Sequence, residues 1–573
     1  MKINSSFLPS VPILLAILFV LGIILRFFSL SSYPNGLMRD EAFLGYNAYS
    51  LLITGRDING HFMPLFLESF LYTPAGYSYF SIPFIKIFGL SIFSVRFVSA
   101  FFGALTIPAI FYLTKNLLLL SQEKRFSERK TLIISLLTAF LITITPWHIN
   151  LSRTASVSTL VTFFVVLGSY FFARWIATNN KKFLLFSFGS YFISLFFYVA
   201  PFSFLPPFIL VFYFLFRHKI SKINKKLFVL LYLIFLIPIL FVFLSPKLSL
   251  RMQSINIAKT PIVKLILTED TSRDGVENIP PLIARSFHNK VSVVSDIFLQ
   301  NYFSHFTYNY LFRDNGFPER FKIPESGLLY PVYLLFIAIG LYYLLRQNGQ
   351  LKWFLIGWIL LGPVGSGFAS DDVPNLQRTL FTLPPILIVA SLGVVCLFQD
   401  LAKKRIVRYI FLFLISVFLL YEFIVYLHLY YFHENAYRPW YRQDGYKELT
   451  QKVNKYKGSY GEIVITDRES APTIFFLFFN RYDPSAMQKT IAQSKLRDTD
   501  RISFSDFHMT QEECPLRVET DPVTGIKKLI GKRGTLYVNS GFCRNENLPK
   551  NVKIIDTVLR GDGSKVFYIM AIE

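Results

Sequence analysis

Residues 227–244 read LFVLLYLIFLIPILFVFL, eighteen positions without a charged side chain. As a helix rising 1.5 Å per residue this block runs about 27 Å, close to the roughly 30 Å hydrocarbon core of a bilayer. Blocks of the same kind stand elsewhere in the chain, VPILLAILFVLGIIL at 11–25 and YIFLFLISVFLLYEFIVYL at 409–427. The whole composition follows them: 53% of 573 residues are hydrophobic and 63 are Phe, gathered in runs and not at amphipathic spacing. A soluble globular chain does not read this way.

Working outward from that block, eleven spans are expected, at 8–30, 93–118, 131–146, 156–176, 183–200, 203–217, 227–245, 328–345, 351–368, 379–398 and 409–431. The break between the fifth and sixth falls beside Pro201. The first is read as an uncleaved helix, because no small-x-small cleavage site precedes Tyr33. Lys and Arg gather in SQEKRFSERK (121–130), ARWIATNNKK (173–182), RHKISKINKK (217–226), RQNGQLK (346–352) and DLAKKRIVR (400–408), which with eleven spans all fall on one side. Positive residues near a span stay cytoplasmic, so that side and the N-terminus are placed inside. Much of the formal charge of +23 then reflects topology and anionic headgroups, and nucleic-acid binding is set aside.

This topology leaves three large segments outside, 31–92, 246–327 and 432–573. The expected organisation is a transmembrane domain over 1–431 and a small extracytoplasmic α/β domain over 432–573. In the latter, EIVITD (462–467), TIFFLFF (473–479), TLYVNSG (535–541) and KVFYIMAIE (565–573) read as strands and 445–455 as a helix. Cys514 and Cys543 fall in this segment, where an oxidising surrounding permits a disulfide, while Cys396 lies in a predicted helix. In the first external loop, EAFLGYNAYSLLI (41–53) has helical apolar spacing and reads as a short interfacial helix.

That helix is preceded by Asp40 and begins with Glu41, an acidic pair in a loop otherwise poor in carboxylates. Asp40 is read in two ways, as an N-cap or as a chemically active carboxylate. Arg96, Arg153, Arg285, Lys290 and Arg378 stand near predicted outer boundaries, where a cation either holds a phosphate or reaches to the headgroups. Arg26 is a charge late in the first helix. His148, in PWHIN, is read as a metal ligand, a hydrogen-bond partner of an acceptor or a structural residue; no second His or Cys stands at ligand spacing. The residues single out no cofactor, and a divalent cation is the one metal candidate left open.

The stretches YPNGLMRDEAFLGYNAYSLLITGRDING (33–60) and YTPAGYSYFSIPFIKIFGLSIFSVRFVSAFFGALTIPAI (72–110) resemble the first loop and second helix of the protein mannosyltransferase and aminoarabinose transferase superfamily, membrane glycosyltransferases of the GT-C fold. Pro34, Asp40, Glu41, Gly45, Ala48, Gly55, Asp57, Pro64, Tyr77, Pro83, Gly89, Arg96 and Gly103 carry the likeness. Similar segments follow in order at 144–153, 285–316, 327–341 and 362–380. The resemblance covers nearly all of the membrane region and is weaker over the C-terminal domain.

The resemblance implies an inverting transferase that moves a sugar from a polyprenyl phosphate to an acceptor outside the membrane, either a protein hydroxyl, a glycolipid or a cell-envelope glycan. It implies Asp40 as general base with Glu41 beside it, a donor phosphate held among the five cations above, and Asp57 and His148 in acceptor contact or structure. The chemistry is independently reasonable, since attack by a hydroxyl needs a carboxylate to take its proton and the leaving phosphate needs cations. Two departures stand out: Thr73 occupies a position where members often carry Lys, and Val157 lies near the place of a second acidic residue. A transporter or flippase is the rival reading. Its usual marks are internal repeats and charged or Gly/Pro-broken mid-helix positions, whereas the carboxylates here concentrate in external loops. A catalytically degenerate relative that binds a partner is a third reading.

The topology is checked by cysteine labelling in sealed vesicles. Single cysteines introduced in 440–573 are expected to react only from the extracytoplasmic face; reaction from the cytoplasmic face overturns the orientation.

Overall fold

The computed structural model describes residues 10–69, 72–121, 126–401, 404–494, 499–520, 526–544 and 548–573; the basic connectors at 121–130 and 400–408 lie partly outside these. The chain divides into two compact units, one of Met1–Phe28 with Ser99–Leu427, the other of Ser29–Val98 with His428–Glu573. The first predicted external loop is thus grouped with the C-terminal segment and not with the helices that flank it in sequence.

The first unit is helical. A helix stands at each of the eleven predicted segments, beginning with Val11–Phe27 and ending with Arg405–His428. Among the described residues six helices are long and apolar enough to cross a membrane, and seven if Glu128–Ile144 and Pro146–Ser152, bent by 56° at Pro146, count as one. Val11–Phe27 and Val332–Leu345 are shorter apolar helices. The predicted break at Pro201 appears as the gap between Lys181–Leu195 and Ala200–Phe216, with Pro201 in the first turn of the second helix, where its missing N–H costs nothing.

Local sequence explains how these helices turn and pack. Val157–Thr178 ends on Asn179 in the left-handed region, and Asn180 caps the next helix by accepting the N–H of Lys182 at 3.0 Å. Two asparagines therefore make an antiparallel hairpin. Val332–Leu345 lies against Leu383–Asp400 through Gly340 and Gly393. A methyl on Gly340 would stand 2.0 Å from the Val389 carbonyl oxygen, and one on Gly393 2.3 Å from that of Phe336. Such close backbone approach is what small residues give in membrane helix pairs.

The second unit is mixed α/β. Five strands, β1 (Glu462–Thr466), β2 (Phe507–Thr510), β3 (Thr535–Ser540), β4 (Val552–Leu559) and β5 (Lys565–Ile572), form one sheet in the order β2-β1-β3-β5-β4. β1 runs parallel to β2 and β3, while β5 is antiparallel to β3 and β4. The central strand β3 is buried at every position, as a two-sided core strand must be.

The run 473–479, expected as a strand, is instead the helix Pro472–Asn480. Pro472 fits the first helical turn, and because Pro472–Phe478 are all buried the run carries no period that separates a buried helix from a buried strand. The stretch 41–53 is helical as expected, within Arg39–Thr54, yet Glu41–Ala48 are buried throughout and the helix packs against Gly76–Phe88, Pro472–Asn480 and Pro484–Gln493.

Cys514 and Cys543 form a disulfide with Cα atoms 5.8 Å apart, and Cys396 is a buried free thiol. Alkylation of the unfolded, unreduced protein is expected to modify one cysteine, and three after reduction. The bridge spans 29 residues, and a closed loop of that size stabilises by roughly 3–4 kcal/mol in the chain-entropy model. Cys543→Ser is accordingly expected to lower Tm; an unchanged Tm, or three alkylated thiols before reduction, overturns the pairing.

Candidate active site

In the second unit the helix carrying the acidic pair starts at Arg39, with the extended residue Met38 at its N-cap. Met38 has no capping oxygen. Glu41, at the third helical position, turns back instead and accepts the Met38 N–H at 3.1 Å, the carboxylate half of a capping box.

Arg96 holds Glu41 in that place. Its Nε and Nη2 donate to the two carboxylate oxygens at 2.9 Å each, a bidentate pair with both side chains almost wholly buried. The other guanidinium protons go to carbonyls of the incoming loop, Leu30 at 3.3 Å, Pro34 at 2.8 Å and Gly36 at 2.8 Å. All five N–H donors are engaged, so a phosphate can reach Arg96 only by replacing one of these partners.

Asp40 sits one position before Glu41 and is exposed. It stands at the second helical position and not at the N-cap. Neighbouring helical residues do not share a face, so the carboxylate that organises the loop and the one presented outward point different ways.

Asp57 is buried in the loop that follows this helix. Its carboxylate accepts the His61 N–H at 2.8 Å and lies 3.1 Å from His61 Nδ1, closing a tight turn. The turn is fastened to the helix by Gln488, which donates to Ser50, Thr54 and the Asp57 carbonyl at 2.9–3.1 Å. Asp57 therefore shapes the backbone. Thr73 lies in a short strand opposite Leu67.

The remaining predicted residues belong to the first unit. His148 is fully buried with Nδ1 2.7 Å from Nη2 of Arg26, which also donates to the carbonyls of Gly22, Ile142 and Thr143. A guanidinium donating to Nδ1 occupies the lone pair that a metal on that nitrogen needs. Arg153, also buried, donates to the carbonyls of Leu25 and Phe28 at 2.9 and 2.7 Å, closing the C-terminal end of the first helix. Arg285 and Lys290 are exposed, on Pro281–Phe287 and at the start of Lys290–Ser304. Val157 is the first residue of its helix. Among the described residues no three His, Cys, Asp or Glu side chains are grouped to hold a metal.

Arg378 borders a cavity of about 260 Å³ whose walls include Phe202, Phe243, Met252, Phe368 and Ser366. Asp371 anchors the guanidinium through its carboxylate at 2.7 Å and its carbonyl at 2.8 Å. Burial works to lower the pKa of Arg378, but Tyr198 and Asp371 outweigh it and raise it. Behind Ser366 stands His305, which the sequence reading passed over. Its Nδ1 donates to the Asn301 carbonyl at 2.8 Å, and its Nε2 accepts from the Asn375 N–H at 3.1 Å and lies 2.9 Å from Ser366 Oγ. Burial pushes this imidazole down to about 4, so it stays neutral and fixes the serine beside the cavity. The signal for it was present, since His305 and Ser366 both lie in segments that carried the family resemblance.

No protein-family model matches the chain, and no curated protein sequence does. Solved structures with similar folds include the archaeal oligosaccharyltransferase AglB from Archaeoglobus fulgidus, in complex with an inhibitory peptide and a dolichol-phosphate, at 14% identity and a TM-score of 0.50, covering 83% of this chain and 64% of that one. The chain thus spans less than two thirds of AglB. ArnT from Cupriavidus metallidurans matches over nearly its whole length, 99% of this chain and 98% of that one, at 10% identity and a TM-score of 0.50. ArnT bound to undecaprenyl phosphate matches at 11% identity, covering 98% and 97%, also with a TM-score of 0.50. Both proteins are GT-C glycosyltransferases.

The pair at the base of this site is testable by stability. Glu41→Gln leaves a buried guanidinium without its counter-charge and is expected to cost about 3–5 kcal/mol, read as a large fall in Tm of the detergent-solubilised protein. Arg285→Ala and Lys290→Ala, at exposed positions, should leave Tm unchanged. A wild-type Tm for Glu41→Gln overturns the structural role of the pair.

Proposed function

We propose, for a chain that has the GT-C fold, that it transfers a sugar from a polyprenyl phosphate to an acceptor hydroxyl on the extracytoplasmic face of a membrane, with Asp40 as the general base. The observation that carries this reading is the division of labour in the acidic pair. Glu41 and Arg96 organise the loop and the helix start, so Asp40 is not needed as a cap and its carboxylate is exposed.

In the proposed reaction the acceptor oxygen attacks the anomeric carbon while its proton passes to the Asp40 carboxylate. The bond from that carbon to the phosphate oxygen breaks, and the polyprenyl phosphate leaves with the electron pair. A single displacement inverts the anomeric centre. Negative charge grows on the leaving oxygen, where a fixed cation lowers the barrier.

Arg378 suits that cationic role better than the other four candidates. It borders an apolar cavity, and an isoprenoid phosphate joins an apolar chain to an anion. Arg96 and Arg153 are committed to carbonyls within their own units, and Arg285 and Lys290 stand exposed. The undecaprenyl phosphate of the ArnT structure supports the same donor class. The reading assigns 1–431 to the membrane-embedded transferase and 432–573 to an extracytoplasmic domain.

The test is transfer from a labelled polyprenyl-phosphate sugar by purified protein. Asp40→Asn keeps shape and removes the base, and is expected to lower turnover on the order of a hundred- to ten-thousandfold at unchanged Tm. Arg378→Ala removes one contact to a developing charge and is expected to cost roughly a hundredfold. Wild-type turnover by Asp40→Asn places the base elsewhere.

A further inference from the structure

The second unit contains a polar cleft of about 820 Å³ that the proposed reaction leaves unused, bordered by residues 31–37, 443–452 and 557–561. That volume falls within the usual range of ligand sites. Two glycines of its lining admit close backbone approach: a methyl on Gly36 would stand 2.7 Å from the Arg442 carbonyl oxygen, and one on Gly561 2.5 Å from that of Asn435.

Most of the charges around the cleft are matched within the fold, while the exposed lining residue Lys447 forms no ion pair among the described residues. Lys452 donates to Asp556 and the Thr557 carbonyl at 2.8 and 2.7 Å and pairs with Glu448 at 2.8 Å. Arg560 pairs with Glu469. Asp444 accepts from Asn35 Nδ2, the Gly561 N–H and the Gly445 N–H at 2.8–2.9 Å. The lining also includes Ser31, Ser32, Asn435 and Gln451, with the aromatic side chains Tyr33 and Phe479. Hydroxyls and amides supply neutral donors and acceptors, and aromatic rings suit the apolar faces of sugars. A polyanion would meet one unmatched cation on this lining, Lys447, against many neutral donors and acceptors.

The cleft also adjoins the approach to Asp40. Gly36 and Leu37 form part of its wall, and Gln443, also on the lining, accepts the N–H of Arg39 at 2.9 Å, the residue just before Asp40. A chain lying in the cleft runs beside the segment that leads into the acidic pair.

We propose that this cleft is the acceptor groove and that its occupant is a neutral, hydroxyl-rich glycan chain. The inference rests on the transferase reading for the word acceptor, and on the cleft alone for the glycan.

Binding of fluorescent malto- and manno-oligosaccharides to the full-length detergent-solubilised protein tests it, beside an oligogalacturonate and a Ser/Thr-rich peptide. At least one neutral series is expected to bind. Gln451→Trp and Ser32→Trp, both lining residues at exposed positions, are expected to weaken binding tenfold or more at wild-type Tm, and Gln451→Ala less. Should either Trp variant misfold, the other carries the test. Binding of the peptide or the acidic oligomer alone overturns the proposal, as does neutral-glycan binding indifferent to both Trp variants. The two readings fail separately. Cleft-dependent glycan binding without turnover of polyprenyl-phosphate sugar leaves the groove and removes the transferase, whereas turnover onto a peptide without glycan binding does the reverse.

Discussion

A buried guanidinium is costly unless each proton finds an acceptor, and Arg96 meets that demand with one carboxylate and three backbone carbonyls. The same five bonds fix where the loop 30–36 ends and where the helix at Arg39 begins. They bring Glu41 into the core and leave Asp40 outside it. The position of the candidate base is therefore a by-product of satisfying another residue. Gly36, with φ +75° and a carbonyl on Arg96, lets the loop turn tightly enough to present its oxygens inward.

The helical part of the fold was legible because apolarity sustained over eighteen or more residues has few other meanings, and Pro201 and the Asn179–Asn180 pair mark breaks by local rules. The same logic fails where burial is complete. Residues 474–479 are apolar on every side, and only Pro472 at the start of the run distinguishes helix from strand. Within the site, Asp40 and Glu41 were conspicuous as residue types, but their roles depended on a partner 55 positions away, which no spacing rule encodes. The N-cap reading of Asp40 followed from Asp being a good cap, and it did not anticipate that Met38 takes that place while Glu41 supplies the hydrogen bond.

Histidines show the same limit from the other side. His148 stood out by its motif, yet its imidazole is held by Arg26. His305 drew no notice, yet it is the one that reaches a serine on a cavity wall. In both cases the deciding fact is which nitrogen accepts and which donates, a property of the folded surroundings.

The second unit is assembled from two stretches of chain far apart in sequence, and this has a temporal meaning. The loop that carries Asp40 is fastened by Asn35 to Asp444, by Tyr46 to the Tyr482 carbonyl and by Gln488 to the Asp57 carbonyl, links separated by 409, 436 and 431 positions. At synthesis rates of about 5–20 residues per second, several hundred residues take roughly 20 s to a minute and a half. For that interval the loop exists without the partners that enclose it. Its helix cannot bury Glu41–Ala48 against Pro472–Asn480 until the latter has emerged. The nascent protein must therefore carry a buried-type helix, held at its start by Arg96 but uncovered along its length, through most of its own synthesis, and the site is completed only when the C-terminal segment folds back onto it.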